Sequence, residues 1–269
     1  MENYTWYYPK HIDEALELIK AEQAIPHGGG TNLTGKKLKH EKGFLSLDRL
    51  PLHYVKKEEN KIKIGATTDY ASIAQKLSEM SPGHILSKSL SRAATTPLRN
   101  RITIGGGLRL APNWSDLIGP LTALEAEVKI EGATEGVYPV GDYLNKRELK
   151  SKTLITEIIL PDEEWDSWYY REGVTQNDHP VFTITILAKH DGSSLEDIRI
   201  VITGHTKRFK RITAVEEALK GQSISQSELD GIAKGLDLKF ASAKGMSSEY
   251  IKHLAQTQLE RGLTELLKS

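Results

Sequence analysis

Apolar residues along the chain follow two spacings, and these separate predicted helices from predicted strands. Ile12, Ala15, Leu16 and Ile19 lie at helical spacing and predict a helix after Pro9. Strict alternation over residues 62–66 instead predicts a half-buried strand. The same reasoning predicts strands at 24–26, 44–47, 127–130, 153–160, 181–187 and 198–203. Helices are predicted from 68 or 69 to about 77, and at 85–94, 117–124, 214–219, 229–240 and 248–267. We expect Thr96-Pro97 to end the helix over 85–94, because proline restricts the residue before it.

The order of these elements changes near Trp165. Helices and strands are mixed before it, whereas strands followed by helices come after it. This pattern predicts an α+β protein with a first domain over 1–164, in subdomains of about 1–55 and 56–164, and a second over 165–269. The junction is not rich in proline or glycine, so we expect a packed boundary.

Glycine clusters in two places. Residues 25–33 read Ile-Pro-His-Gly-Gly-Gly-Thr-Asn-Leu, and residues 99–107 read Arg-Asn-Arg-Ile-Thr-Ile-Gly-Gly-Gly. We interpret both as turns whose backbone N–H groups point at one spot, which is a typical site for a phosphate. Two such sites suggest the diphosphate of a dinucleotide. The alternative is that the glycines serve only as hairpin turns.

Two better-known nucleotide motifs do not fit. A Gly-x-Gly-x-x-Gly fingerprint fails because Leu33 and Leu110 occupy the third glycine positions. Residues 30–36 match the Gly-x-x-x-x-Gly-Lys of a P-loop, but Lys37 stands where a metal-binding hydroxyl is required. The seven residues between Lys36 and Phe44 are also too few for a parallel crossover with its helix.

Composition narrows the classes of function. The 36 basic and 36 acidic side chains cancel, which argues against a nucleic-acid or membrane-surface protein. The chain has no cysteine, so cysteine-ligated iron–sulfur clusters and disulfides are excluded. Electrons handled here would reside on an organic cofactor, with any metal centre on another chain. We find no signal peptide and no apolar run long enough to cross a bilayer, so we expect a cytoplasmic protein.

Five landmarks, in order, resemble the FAD-binding medium subunit of the molybdenum hydroxylases. This family includes the flavoprotein subunits of carbon monoxide, xanthine and aldehyde dehydrogenases. The resemblance covers nearly the whole chain. The landmarks are the first glycine run, with Gly28 where alanine is common, the second run, and residues 111–117, 140–144 and 154–161, followed by a similar tail at 207–221.

The resemblance implies a two-subdomain FAD-binding domain of the vanillyl-alcohol-oxidase (PCMH) type, then a domain with a small antiparallel sheet and helices. It implies that FAD is held non-covalently; covalent attachment to His27 is the less favoured alternative. It implies contacts from Pro26, His27, Gly28, Gly29, Gly30, Thr31, Asn32 and Leu33, from Thr103, Ile104, Gly105, Gly106 and Gly107, and from Asp116, Ile155 and Arg171.

The resemblance also assigns roles to individual residues. Asp116 would accept hydrogen bonds from cofactor hydroxyls, although it could also serve as a helix cap. The backbone of Ile155 would lie near the isoalloxazine ring. Tyr170 or Arg171 would take the place of a family lysine near the flavin, unless Arg171 is merely a surface charge. Gly107, Pro97 and Arg101 depart from the usual family residues.

The implied function is electron relay. A large subunit with a molybdenum–pterin centre would oxidise the substrate, and two [2Fe-2S] clusters on a small subunit would pass electrons to this FAD and then to an external acceptor. The expected assembly is a heterotrimer, doubled to a heterohexamer. No catalytic residue and no metal ligand is expected on this chain. The alternatives are a self-contained FAD-dependent oxidase or reductase of the same fold and a scaffold that has lost flavin.

Overall fold

The computed structural model of the protein describes residues 4–33, 43–191, 194–221 and 226–267. The strands are β1 (Thr5–Tyr7), β2 (Ala24–His27), β3 (Gly43–Ser46), β4 (Val55–Glu58), β5 (Lys61–Gly65), β6 (Glu127–Gly132), β7 (Gly136–Pro139), β8 (Thr153–Pro161), β9 (Asp166–Glu172), β10 (Phe182–Asp191), β11 (Ser194–His205) and β12 (Arg208–Arg211). The helices are α1 (Ile12–Lys20), α2 (Tyr70–Met80), α3 (Ile85–Leu90), α4 (Thr96–Arg99), α5 (Ile104–Leu110), α6 (Ile118–Ala123), α7 (Val140–Asn145), α8 (Thr213–Leu219), α9 (Gln226–Gly235) and α10 (Ser248–Leu267), with a 3₁₀ turn at Glu148–Lys150. Residues 34–36 of the rejected P-loop match lie outside the described residues.

Most of the predicted elements are confirmed, but α7 (Val140–Asn145) was not predicted, and the helices differ from prediction in four further places. Helix α3 ends at Leu90 rather than near residue 94. Pro97 lies in the first turn of α4, a position that proline favours because its missing N–H has no helical partner there. Helix α9 ends at Gly235 rather than near residue 240. The second glycine run, predicted as a turn, forms the first half of helix α5.

The strands that the pattern did not predict share one property. Each lies at the edge of its sheet: β1, β4, β7, β9 and β12. An edge strand buries less of its surface than a central strand, so its apolar alternation is weaker. The strand β4, Val-Lys-Lys-Glu, contains a single apolar residue, at its first position.

One compact unit comprises Met1–Lys76, Thr95–Leu110 and Glu125–Asp162. It contains a parallel three-stranded sheet in the order β1-β3-β2 and an antiparallel five-stranded sheet in the order β4-β5-β8-β6-β7. Helix α1 buries Ala15 and Ile19 in a core cluster with Ala24, Leu45 and Leu154. Helix α5 packs against β8. Parallel strands end at a common edge of their sheet, and the first glycine run follows β2 at that edge.

The other compact unit comprises Leu77–Ala94, Ala111–Leu124 and Glu163–Ser269. Its antiparallel sheet has the order β12-β11-β10-β9. Phe182, Ile184 and Ile186 face a core that includes Leu259 of α10. The opposite face of β10 carries threonines, and a Cβ on Gly119 of α6 would lie 2.7 Å from Thr185 Oγ1. Both faces of β10 are therefore buried.

These two units are not contiguous in sequence. Residues 77–94 and 111–124 belong to the unit that holds residues 163–269, whereas the predicted division placed them with residues 1–164. Within the described ranges, no helix combines the length and apolar character needed to span a bilayer.

Candidate functional site

The first glycine run forms a loop directly after β2. Gly30 has φ of +73°, a left-handed conformation that residues with a Cβ rarely adopt. The Leu33 amide donates to the Gly30 carbonyl at 2.9 Å and closes a turn. Among the described residues, the amides of Gly28, Gly29, Thr31 and Asn32 have no hydrogen-bond acceptor. The loop is therefore able to offer several N–H donors to an anion.

Aromatic packing supports the base of this loop. A Cβ on Gly30 would lie 2.3 Å from His27 Nε2, so the imidazole fills the space beneath that glycine. The His27 ring meets the Trp6 ring edge-on, with 4.9 Å between centroids. The geometry gives the His27 side chain a packing role under the loop.

The segment before the second glycine run contacts the loop directly. Arg101 donates from Nε and Nη2 to the Gly29 carbonyl at 3.1 and 3.0 Å. A Cβ on Gly29 would lie 1.4 Å from the Arg101 carbonyl oxygen, and a Cβ on Gly28 would lie 2.9 Å from Thr103 Oγ1. The two glycine runs are thus brought together, as predicted, and glycine is required where the backbones approach.

The second run does not provide free amides, which corrects the interpretation of two equivalent anion sites. The amides of residues 104–107 donate, in order, to Thr68 O (3.0 Å), Ala66 O (2.9 Å), Thr103 Oγ1 (3.2 Å) and Thr103 O (2.9 Å). The physical reason is that the run begins a helix, which Thr103 caps through its side chain. Gly105 is buried, and its Cβ would lie 2.9 Å from Ala66 Cβ, whereas Gly106 is exposed.

Ile155 lies in β8 beside an irregularity of the five-stranded sheet. Ile155 pairs with Ile130 of β6 and Glu157 pairs with Lys129, so Thr156 is an extra residue. Such bulges re-aim the local backbone and are frequent beside binding sites. The predicted role of Ile155, which uses its backbone, falls at this bulge.

In the other unit, Asp116 and Arg171 form an ion pair. Arg171 Nε donates to Asp116 Oδ1 at 2.9 Å, with side chains 7% and 6% exposed. The Tyr169 hydroxyl donates to the same oxygen at 2.7 Å. Burial raises the pKa of Asp116, and the Arg171 charge and the Tyr169 bond offset part of that rise. Among the described residues, Asp116 Oδ2 accepts no hydrogen bond.

The two candidates for the flavin-facing position both have internal partners. Arg171 Nη1 donates to the Gln176 carbonyl at 3.3 Å, and Nη2 donates to the Asp178 carbonyl. The Tyr170 hydroxyl donates to the Glu172 carboxylate. The Arg171 side chain is buried in an ion pair and is not a surface charge. Its two bonds to backbone carbonyls hold the segment between β9 and β10 in place.

Sequence reasoning missed the roles of Arg101 and Tyr169. One feature of the sequence could have pointed to Arg101: it is a charged residue beside a glycine run, at a position where this chain departs from the usual family residue. The Trp-Tyr-Tyr pattern contained no sign that Tyr169, rather than Tyr170, meets Asp116. In the part of the chain that the structure describes, no group of three or more histidine or acidic side chains could hold a metal ion.

Comparisons with known proteins agree with this architecture. Residues 2–163 match the family described as "FAD binding domain in molybdopterin dehydrogenase". Residues 169–266 match the "CO dehydrogenase flavoprotein C-terminal domain". These matches confirm the predicted α+β fold, with a flavin-binding domain followed by an antiparallel sheet with helices.

Individual relatives have low sequence identity to this chain, but the aligned regions cover most of its length. The nicotinate dehydrogenase FAD-subunit of Eubacterium barkeri is 25% identical over 187 residues, which span 64% of this chain and 63% of that protein. The glyceraldehyde dehydrogenase medium chain of Sulfolobus acidocaldarius is 26% identical over 246 residues, covering 86% and 85%. A chain of quinoline 2-oxidoreductase from Pseudomonas putida 86 superimposes with a TM-score of 0.90 at 17% identity, covering 99% of this chain and 97% of that one.

Proposed function

Because the chain belongs to the FAD-binding medium subunits of the molybdenum hydroxylases, an oxidoreductase family, we propose that it holds FAD non-covalently and relays electrons. In this proposal, electrons arrive from [2Fe-2S] clusters on a small subunit and leave for an external acceptor. A large subunit with a molybdenum–pterin centre would oxidise the substrate. The three subunits would form a cytoplasmic heterotrimer, doubled to a heterohexamer.

One observation carries the proposal: in the loop after β2, the amides of Gly28, Gly29, Thr31 and Asn32 have no acceptor among the described residues, and the loop lies at the carboxyl end of that strand in a domain of a flavin-binding family. A diphosphate needs several converging donors, and the Arg101 guanidinium adds a positive charge beside the loop. The residues present therefore fit the anionic part of FAD. Bound FAD would supply the redox chemistry, since a flavin exchanges electrons singly or in pairs.

The residues of this chain would bind and orient the cofactor. Residues 26–33 would surround the diphosphate with backbone groups, and residues 103–107 would approach closely without donating amides, because those amides are already bonded. Ile155 would lie near the flavin ring through its backbone. Asp116 would accept a cofactor hydroxyl at Oδ2, and Arg171 would act by holding Asp116 in place.

The first experiment is to purify the whole chain, record its visible spectrum and identify any released flavin. We expect a yellow protein that releases FAD. A substrate-oxidation assay with and without candidate large and small subunits tests the relay. If the chain only relays electrons, we expect it to oxidise almost no substrate by itself. Unaided turnover of a small substrate would favour a self-contained oxidase.

A pair of variants tests where FAD binds. Gly30→Ala places a Cβ 2.3 Å from His27 Nε2 at a positive φ, so we expect FAD affinity to fall by about tenfold or more. Gly235→Ala introduces a Cβ with nothing within 4 Å and serves as the control. A colourless chain that cannot be reconstituted with FAD, even beside partner subunits, would contradict the proposal.

A further inference from the structure

Arg101 contacts Gly29 with both its side chain and its backbone. Its guanidinium donates through two nitrogens to the Gly29 carbonyl, at 3.1 and 3.0 Å. Its own carbonyl oxygen stands 1.4 Å from the point where a Cβ on Gly29 would lie. Because the two residues are 72 positions apart, this contact joins the loop to the segment between α4 and α5.

The contact fixes the direction of one peptide plane. The described residues contain no cis peptide bond, so the Gly29 carbonyl and the Gly30 amide point in opposite directions. With its carbonyl held by Arg101, the Gly29–Gly30 peptide must direct its N–H away from the guanidinium. Three consecutive glycines would otherwise sample many orientations, because glycine has the least restricted backbone.

The charge of Arg101 has no carboxylate partner among the residues that the structure describes. Arg101 is exposed, and within the described residues it forms no ion pair. Nearby Arg99 has a different partner, since its Nη2 donates to Thr96 Oγ1 at 2.8 Å. An unpaired positive charge beside an amide-bearing loop favours binding of an anion.

We propose that Arg101 is a positioning residue that pre-orders the first glycine loop for the cofactor diphosphate. This inference rests on the proposed function, because the diphosphate is that of FAD. Arg101 itself binds a carbonyl rather than the cofactor. Its bidentate bond sets the direction of the loop amides, and its charge raises the local potential.

The ordering of the loop can be measured without cofactor. In the flavin-free chain, NMR order parameters of the Gly28–Gly30 amides should fall from the range typical of rigid backbone, about 0.85, toward about 0.6 in Arg101→Leu. Arg99→Leu removes the same charge two residues away and should leave these values unchanged. Arg101→Lys keeps the charge but loses the fork of donors, so its loop should be intermediate.

The consequence for binding can be measured by titrating each chain with FAD at low and high salt. We expect Arg101→Leu to weaken FAD binding by about 10- to 100-fold, as loss of a charge-assisted contact and of pre-ordering predicts. Arg101→Lys should recover part of this affinity at low salt and less at high salt, because exposed charges are screened. Arg99→Leu should stay within about threefold of the unaltered chain.

The outcomes separate this inference from the proposed function. If the unaltered chain and its complexes never bind FAD, the proposed function fails. If the unaltered chain binds FAD but Arg101→Leu keeps both its affinity and its loop order, the positioning role of Arg101 is wrong. Equal losses in Arg101→Leu and Arg99→Leu would also overturn it, since net charge alone would then explain the effect.

Discussion

The two glycine runs look alike in sequence, yet the chain uses glycine differently in each. In residues 28–30, glycine permits a left-handed turn and a close approach by the Arg101 carbonyl, and neighbouring amides have no acceptor among the described residues. In residues 105–107, glycine lies within a helix, and the amides of these residues already have acceptors within the protein. Consecutive glycines therefore do not by themselves indicate an anion site. What distinguishes the runs is whether the chain continues as a loop or as a helix.

The largest expected effect is that of a substitution at Gly29, in the first glycine run. Gly29→Ala places a Cβ 1.4 Å from a backbone oxygen, so the loop or the segment holding Arg101 must move. We expect the free energy of unfolding to fall by about 3 kcal/mol, because backbone overlap cannot be relieved by a rotamer change. FAD affinity should fall by about 100-fold or more, because the donors would no longer converge.

Calorimetry of the flavin-free chain and FAD titration measure the two effects of Gly29→Ala. FAD affinity is compared at a temperature at which the variant and the unaltered chain are both folded. A loss of folded protein then cannot be mistaken for weaker binding. An FAD affinity within about threefold of the unaltered chain would show that the loop does not hold the diphosphate.

The second run should respond differently to the same substitution at Gly105. Gly105 is buried, and an added Cβ would lie 2.9 Å from both Ala66 Cβ and Ala66 O. We expect Gly105→Ala to lower the free energy of unfolding by about 2 kcal/mol through overpacking. FAD affinity of the folded protein should change by less than about threefold. Denaturant unfolding and FAD titration check this, and a large affinity loss without destabilisation would contradict the packing role.

Sequence reasoning reached the central strands and the amphipathic helices because their apolar spacing reflects burial. It missed five of the six edge strands, since residues such as those of β4 are exposed on most sides and carry little periodic signal. It also could not distinguish a glycine turn from a glycine-containing helix at residues 104–110, because a tertiary contact selects the helix. That contact is the bonding of Ile104 and Gly105 to Thr68 and Ala66.

The candidate site was partly predictable for a similar reason. Local motifs located the first loop, and the resemblance to a family placed Asp116 and Arg171 among the site residues. Their bond to each other joins residues 55 positions apart, and the contact of Arg101 with Gly29 joins residues 72 apart. Pairings of this kind depend on the fold as a whole, and a single sequence carries no record of them.

A smaller effect is expected at Gly106, which tests whether the second run approaches the cofactor. Gly106 is exposed, and its Cβ would meet a single atom, Thr103 Oγ1 at 2.9 Å, so a small shift of that side chain relieves the contact. Gly106→Ala should leave stability within about 1 kcal/mol, because gained helix propensity offsets the contact. If the backbone lies close to FAD, affinity should fall by about three- to tenfold. Unchanged affinity in FAD titration would contradict close approach there.

The smallest effect is expected at Gly141, the control for both runs. Gly141 lies in helix α7, and a Cβ added there meets no atom within 4 Å. Because alanine loses less conformational freedom than glycine on entering a helix, Gly141→Ala should raise the free energy of unfolding by about 0.5 kcal/mol. FAD affinity should not change measurably in the same titration used for Gly29→Ala. A loss of affinity at Gly141 would mean that any added methyl group in this unit disturbs binding, and the contrast between the two glycine runs would then lose its meaning.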